Sequence, residues 1–176
     1  MHTIETATMP SPVGDLTVSA NGTRVCLVHF GGATAAVTSR LQRWYPTAAV
    51  ESAADPAGAI AVLRRYFAGD LDALDEIEVE LHGTPFQRSV WMALRGVKAG
   101  TTLSYMELAR RVGSPSAVRA VGAANGANPV AVVLPCHRII GANGSLTGYG
   151  GGLDRKRWLL DHEGVGRPLF APAARA

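Results

Sequence analysis

The sequence is poor in cysteine and in long apolar runs, and each shortage excludes a class of protein. Two cysteines in 176 residues do not make the disulfide framework of a small secreted domain. No apolar stretch approaches the roughly 18 residues that a membrane span needs. The opening MHTIETATMP lacks the basic and apolar segments of a signal peptide. We therefore expect a cytoplasmic protein with free thiols and no membrane contact.

Charged residues are also scarce, at 18%, but 47% of the chain is hydrophobic. That composition supports a real core and argues against wholesale disorder. We expect one moderate domain, or a small domain joined to a second one.

The formal net charge of +3 is unevenly distributed. Residues 1–83 hold 5 Lys/Arg and 10 Asp/Glu, whereas residues 84–176 hold 12 Lys/Arg and 4 Asp/Glu. The first half is therefore −5 and the second +8. A basic half favours a polyanion as partner, and a solvated basic face is the alternative.

Patterns in the first half predict a small α+β unit. DLTVSA alternates, Asn21-Gly22 is a turn signal, and RVCLVHF follows, which together predict a β-hairpin over residues 15–30. Ala/Val/Leu spacing predicts a helix from Ala57 to Phe67. EIEVEL, residues 76–81, alternates strictly and predicts a strand with its glutamates on a wet face.

The second half is more helical. Thr84 or Pro85 opens one helix, and Ser104 with Glu107 forms a capping box for the next. A further helix starts near Ser116 and covers AVRAVGAAN. Helix, short turn and helix is the pattern of a DNA-binding helix-turn-helix, and an ordinary αα-hairpin remains the alternative. We place the domain boundary at residues 82–83, which gives domains 1–82 and 83–176.

The last of these helices is made mostly of small residues, and it has few side chains that read base edges in the major groove. Such a smooth helix suits a narrow groove, where shape is read. Arg119 is its one long cation, and a plain surface arginine is the alternative reading.

The segment PVAVVLPCHRIIG places Cys136 beside His137 after an apolar run. A zinc site would need two more ligands. Cys26 and His29 point to opposite faces of a strand, and the other histidines have no ligand spacing. We therefore expect no metal.

A thiol activated by an imidazole is the second reading of this pair. Reference pKa values of about 8.5 and 6.5 leave a free thiol protonated at neutral pH, so His137 would serve as its base, through water, with Glu163 orienting the imidazole. A buried structural cysteine is the third reading, and the residues alone leave it open.

The residues from 84 to 165 resemble the O6-alkylguanine-DNA alkyltransferases. The resemblance is carried by SYMELARRVGSPSAVRAVGAANGANP, by NPVAVVLPCHRIIG and by GSLTGYGGGLDRKRWLLDHEG. SPVGDLTV in the first half matches more loosely. The resemblance implies an α+β protein, with a ribonuclease-H-like α/β domain at residues 1–82 and a mainly helical DNA-binding and catalytic domain after it.

The resemblance also implies roles for single residues. Cys136 accepts the alkyl group, His137 is its base through water, and Glu163 orients His137. Asn128 braces the active-site turn, and Tyr105 donates to the guanine ring. Arg119 fills the base stack. The helix residues at the DNA are Ser116, Ala117, Arg119, Ala120 and Gly122, and the base pocket comprises Tyr105, Ala131, Ile139, Tyr149 and Gly150.

The activity implied is a single-use transfer of an alkyl group to Cys136, because a thioether has no hydrolysable bond. The partner is double-stranded DNA containing O6-alkylguanine, and also O4-alkylthymine, with the damaged base flipped out of the duplex. No cofactor is implied. We expect a monomer and leave cooperative binding on DNA open.

The sequence departs from some relatives at two pocket positions. Gly150 stands where some relatives carry serine, so a hydroxyl contact to the leaving oxygen is absent. Ala131 replaces a bulky residue, which hints at tolerance for larger alkyl groups. Two rival functions remain, a helix-turn-helix regulator and a cysteine hydrolase that turns over.

Overall fold

The computed structural model describes residues 2–166, so residues 167–176 of the predicted second domain lie outside the described range. The N-terminal half is built on a four-stranded sheet in the order β3-β2-β1-β4. Strand β1 runs antiparallel to β2 and parallel to β4. The strands are β1 (Thr3–Met9), β2 (Leu16–Asn21), β3 (Arg24–Phe30) and β4 (Ala49–Ser52).

The predicted hairpin is confirmed as β2 and β3, which pair antiparallel from Leu16 with Phe30 to Asn21 with Arg24. Its turn includes Gly22 at φ +58°, a left-handed conformation that glycine adopts without strain. Two helices cover the half, α1 (Ala35–Trp44) and α2 (Ala59–Phe67). Helix α2 begins two residues later than the sequence predicts, after a 3-10 turn in which Ala57 has φ 53°.

The strand predicted over residues 76–81 is wrong. Only Val79 pairs, as a single parallel bridge with Val25 of β3. The segment starts in a 3-10 turn that ends at Glu76. Its pairing with β3 consists of two hydrogen bonds, from the Val25 amide to the carbonyl of Glu78 and from the Glu80 amide to the carbonyl of Val25. Glu80 does not lie on a wet face, because its carboxylate accepts hydrogen bonds from Tyr45 and Asn21.

As far as residue 166, the C-terminal half holds four helices and a short parallel pair of strands. The capping box predicted from Ser104 and Glu107 is present, and Thr84 opens the preceding helix as predicted, where it also forms a capping box with Gln87. The elements are α3 (Pro85–Leu94), α4 (Tyr105–Arg111), α5 (Val118–Gly126), α6 (Leu153–His162), β5 (Leu103–Ser104) and β6 (Ile139–Ile140).

The predicted α+β class is confirmed, with the sheet in the first half and the helices of the second half beside it. One hydrophobic core contains residues from both halves, among them Leu16, Tyr66, Trp91 and Leu159. Because this core is shared, side chains of the first half reach the segment that carries Cys136. No helix within residues 2–166 is both long and apolar enough to cross a membrane.

Candidate active site

Strand β3 holds the segment that leads to Cys136. The amide of Val28 donates to the carbonyl of Pro129 at 3.0 Å, and the amide of Ala131 donates to the carbonyl of Val28 at 3.1 Å. These two bonds form an isolated parallel bridge between Val28 and Val130. These hydrogen bonds therefore fix the position of the active-site turn relative to the sheet of the first half.

The chain then reverses at Val132, which has φ 70° and is fully buried. Positive φ is a genuine outlier for a β-branched residue and stores strain. Asn128 holds the reversal in place. Its Nδ2 donates to the carbonyl of Leu134 at 2.7 Å, and its Oδ1 accepts from the amide of Val130 at 2.9 Å. Asn128 therefore connects both sides of the reversal.

Cys136 opens a 3-10 turn, Cys136–Arg138, and borders a cavity of about 300 Å³. A cavity of this size is at the lower end of small-molecule sites. Both halves of the chain form its walls. The lining residues are Val28, His29, Phe30, Arg40, Asn125, Gly126, Ala127, Asn128, Ala131, Cys136, Gly148, Tyr149, Gly150, Gly151 and Arg155.

Cys136 is only 6% exposed. Burial raises its pKa above the ordinary value, and the Asn128 amide and the Lys156 ammonium oppose that rise without cancelling it. The resting group is therefore a thiol at neutral pH, and a base is needed to make it a nucleophile.

His137 is fully buried, and its Nε2 lies 2.9 Å from Oε1 of Glu163. Burial lowers the pKa of His137, against the raising effect of the Glu163 carboxylate. A neutral imidazole must donate its Nε2 hydrogen to that carboxylate, which leaves Nδ1 as the basic nitrogen. Nδ1 has no hydrogen-bond partner among the described residues.

Glu163 collects more donors than His137 alone. Arg138 donates from Nε to Oε2 at 2.9 Å and from Nη2 to Oε1 at 2.8 Å, and the Tyr66 hydroxyl donates to Oε1 at 2.7 Å. Burial would raise the pKa of Glu163, but the hydrogen bonds and charges of His137 and Arg138 outweigh it and hold the pKa far below its ordinary value. Glu163 is thus a fixed anion inside the protein.

Lys156 is a buried cation whose charge acts on Cys136. Its Nζ donates to the carbonyls of Ile139 at 2.6 Å, Thr147 at 3.1 Å and Gly148 at 3.4 Å. Burial lowers its pKa, and the negative charge that Cys136 gains as a thiolate opposes this shift in part. Lys156 therefore ties the glycine-rich loop to the strand that follows the Cys-His turn.

The residues predicted for a base pocket divide into two groups. Ala131, Tyr149 and Gly150 line the cavity. Ile139 does not, because it pairs with Leu103 and is completely buried in the core. Tyr105 does not line it either, because its hydroxyl donates to the carbonyl of Thr147 at 2.9 Å.

The residues predicted to meet DNA lie on and before α5. Ser116, Arg119 and Ala120 are exposed, and Ala117 is the N-cap of the helix. Gly122 differs, because it faces α4: a Cβ atom there would lie 3.7 Å from the Tyr105 ring. Gly122 therefore lies at the contact between α4 and α5.

Sequence reasoning missed Tyr66, Arg138, Lys156 and Asn125 as parts of this site. Arg138 stands next to His137 in PCHR, so its buried position had a local signal. Tyr66 lies 97 residues from Glu163, and no local pattern links the two. Within residues 2–166, no group of three or more His, Cys, Asp or Glu side chains is arranged to hold a metal ion.

Comparison with known proteins places both halves of the chain in one family. Residues 85–165 match "6-O-methylguanine DNA methyltransferase, DNA binding domain", and residues 4–81 match "6-O-methylguanine DNA methyltransferase, ribonuclease-like domain".

Two relatives are named methylated-DNA–protein-cysteine methyltransferase. The one from Mycobacterium tuberculosis is 44% identical over 159 residues, which covers 89% of this chain and 90% of that protein. The one from Salmonella typhimurium is 57% identical over 113 residues, which covers 64% of this chain and 66% of that protein.

Two crystal structures from Mycobacterium tuberculosis share the fold. Its O6-methylguanine methyltransferase superposes with a TM-score of 0.77 at 41% identity, covering 97% of this chain and 96% of that one. Its OGT in complex with DNA gives a TM-score of 0.74 at 41% identity, covering 90% and 92%. The chain belongs to the 6-O-methylguanine DNA methyltransferase family, the methylated-DNA–protein-cysteine methyltransferases.

Proposed function

We propose that this protein repairs double-stranded DNA by moving the alkyl group of O6-alkylguanine, and of O4-alkylthymine, onto Cys136 in a single turnover. One observation carries the proposal: a lone buried thiol borders a base-sized cavity and is followed directly by an imidazole whose tautomer is fixed by a buried carboxylate. That arrangement supplies a nucleophile, a base and an enclosed space.

The proton of the Cys136 thiol passes to Nδ1 of His137 through water, and the new thiolate attacks the alkyl carbon. The S–C bond forms as the C–O6 bond breaks, and guanine leaves with the bonding electron pair. One proton returns to guanine, so charge balances and His137 is neutral again. The product is a thioether with no hydrolysable bond, so the protein is consumed.

Duplex DNA is the partner that the charge of this chain fits. A relative has been crystallised with DNA, and the half after residue 83 carries +8. Lysine and arginine side chains of a basic half make salt-sensitive contacts to DNA phosphates. We assign α4 and α5 as a helix-turn-helix, and we assign the protein as a monomer on DNA. In this arrangement Ser116, Ala117 and Ala120 lie against the DNA backbone along a narrow groove.

The first expected result concerns stoichiometry. Intact-mass spectra after mixing with excess O6-methylguanine duplex should show one added methyl group per protein, located by peptide mapping on Cys136. The alkylated protein should not return to its starting mass. Repeated turnover would support a hydrolase instead, and a methyl group on Cys26 would contradict the proposed acceptor.

The second expected result concerns Arg119, which is exposed on α5. A flipped base leaves a gap in the stack, and unstacking costs a few kcal/mol that an inserted side chain partly offsets. Arg119→Ala should therefore slow repair of O6-methylguanine in a duplex by about 10- to 100-fold. Reaction with the free base O6-benzylguanine should stay nearly unchanged, because a free base needs no flipping.

Two variants separate this role from a phosphate contact. Arg119→Lys should recover only part of the duplex rate, because a guanidinium plane stacks where an ammonium does not. Arg110→Ala removes another exposed cation, in the last turn of α4, and its deficit should vanish at saturating DNA. Parental duplex repair by Arg119→Ala would refute the flipping role.

A further inference from the structure

Three buried polar side-chain atoms have no hydrogen-bond partner among the described residues, and all three lie around Cys136. They are Oδ1 of Asn125, Nδ1 of His137 and the hydroxyl of Tyr149. Buried polar atoms are almost always paired, so a cluster of exceptions calls for a ligand or a function. The proposed chemistry uses the His137 nitrogen, which leaves Asn125 and Tyr149.

Asn125 lies in the last turn of α5, is only 4% exposed, and lines the cavity together with Cys136. Its Nδ2 donates to the carbonyl of Cys136 at 3.4 Å, a long hydrogen bond. Because a carbonyl only accepts, this contact selects the nitrogen side of the amide and directs Oδ1 elsewhere. The site therefore offers a fixed acceptor that the folded chain leaves unpaired.

The chemistry of the damaged base limits what can pair with this acceptor. Alkylation at O6 removes the hydrogen of N1, and N9 is bonded to the sugar in DNA. The ring positions N1, N3 and N7 and the oxygen O6 are then all acceptors. The exocyclic 2-amino group is the only N–H donor left on the base. O4-alkylthymine has none.

We propose that Oδ1 of Asn125 accepts a hydrogen bond from the 2-amino group of the flipped O6-alkylguanine and so selects 2-aminopurines over O4-alkylthymine. This rests on the proposed function and assigns a side-chain contact to the flipped base. The Tyr149 hydroxyl is complementary to it, since it can donate to a ring acceptor that all these bases share. Together the two atoms match one donor and one acceptor of the base.

The test compares two lesions that differ only in this amino group. Duplexes carrying O6-methylguanine or O6-methylhypoxanthine at the same site are reacted with the full-length protein under single-turnover conditions. The parental protein should react about tenfold faster with the amine-bearing base, the size expected of one hydrogen bond to a buried acceptor. In Asn125→Leu, the ratio of the two rates should fall about tenfold below the parental ratio.

The comparison of ratios removes two confounding effects. Any difference in how readily the two bases leave the duplex is common to both proteins and cancels. O6-benzylguanine and its 2-deamino analogue, used as free bases, give the same ratio without a duplex. A purely structural role of Asn125 would slow both bases equally and leave the ratio unchanged.

Tyr149→Phe is the matched control inside the cavity. It removes the other unpaired group, whose partner is present in both lesions, so both rates should fall while the ratio remains. Asn125→Asp is the second variant if Asn125→Leu fails to fold. Its buried carboxyl stays protonated and keeps an acceptor oxygen, so the preference should persist.

The outcomes separate this inference from the proposed function. No methyl transfer from either lesion by the parental protein would defeat the proposed function. Transfer with equal rates for the two lesions would overturn the role of Asn125 alone. An undiminished preference in Asn125→Leu, or a preference lost equally in Tyr149→Phe, would overturn it as well.

Discussion

Cys136→Ser should reduce alkyl transfer below detection while the protein still binds DNA. A hydroxyl is far less acidic than a thiol, and the soft alkyl carbon favours sulfur as its nucleophile, so His137 cannot generate a useful alkoxide. The substitution keeps the size and shape of the side chain, and Cys136 is only 6% exposed, so the fold should persist. Transfer of radiolabelled methyl from duplex DNA measures the first effect, and an electrophoretic mobility shift measures the second.

Cys26→Ser is the matched control, because Cys26 is the other cysteine of the chain and is fully buried. Burial raises the pKa of Cys26 to about 11, and its Sγ donates to the carbonyl of Ser19 at 3.4 Å. It does not line the cavity. Transfer by Cys26→Ser should match the parental protein. Labelled protein from Cys136→Ser would mean that another residue accepts the methyl group.

Local sequence patterns predicted the features that depend on near neighbours. The β2–β3 hairpin and the Ser104–Glu107 capping box rest on residues a few positions apart, and both are present. The strand predicted over residues 76–81 is wrong because a pattern of near neighbours does not show whether a partner strand is present. Alternation described its apolar side correctly, with Ile77 buried, but a strand also needs a partner along its length, and here only Val79 pairs.

The site itself was only partly accessible from sequence. The Cys136-His137 pair with Glu163 came from a motif, and the structure brings His137 and Glu163 into contact. The contributions of Tyr66 and of the hydrogen bonds that join Val28 to Pro129 and Ala131 depend on how the two halves pack. The placement of Ile139 in the core depends on β5, and Tyr105 is directed to the glycine-rich loop. Such contacts are set by tertiary structure, which periodicity does not encode.

The pH dependence of transfer follows from the two shifted groups at the nucleophile. Burial raises the pKa of Cys136, and burial lowers that of His137, so both the thiol and the imidazole are neutral across the physiological range. The hydrogen bonds to Glu163 are what orient that imidazole. A substitution of Glu163 should therefore alter both the rate of methyl transfer and the stability of the fold.

Glu163→Gln should lower the free energy of unfolding at pH 7 by about 3 kcal/mol, because it leaves the buried Arg138 guanidinium without its counter-ion. It should also slow methyl transfer at neutral pH, since the carboxylate no longer fixes the His137 tautomer. Urea denaturation and single-turnover transfer measure the two effects. Tyr66→Phe removes one hydrogen bond to the same carboxylate but no charge, so it should cause a smaller loss in both. Glu78→Gln, at an exposed ion pair with Arg24, should change neither.

The stability difference between the parental protein and Glu163→Gln should itself depend on pH. The folded pKa of Glu163 lies far below the unfolded value of about 4.3. A carboxyl with a depressed folded pKa contributes its full stability above the unfolded pKa and loses it as the pH falls through the folded value. The difference should therefore stay constant from pH 7 to about pH 5 and shrink steadily in more acidic solution. Urea titrations at a series of pH values measure it, and a difference that grows on acidification would show that Glu163 is not the fixed anion on which Arg138 and His137 depend.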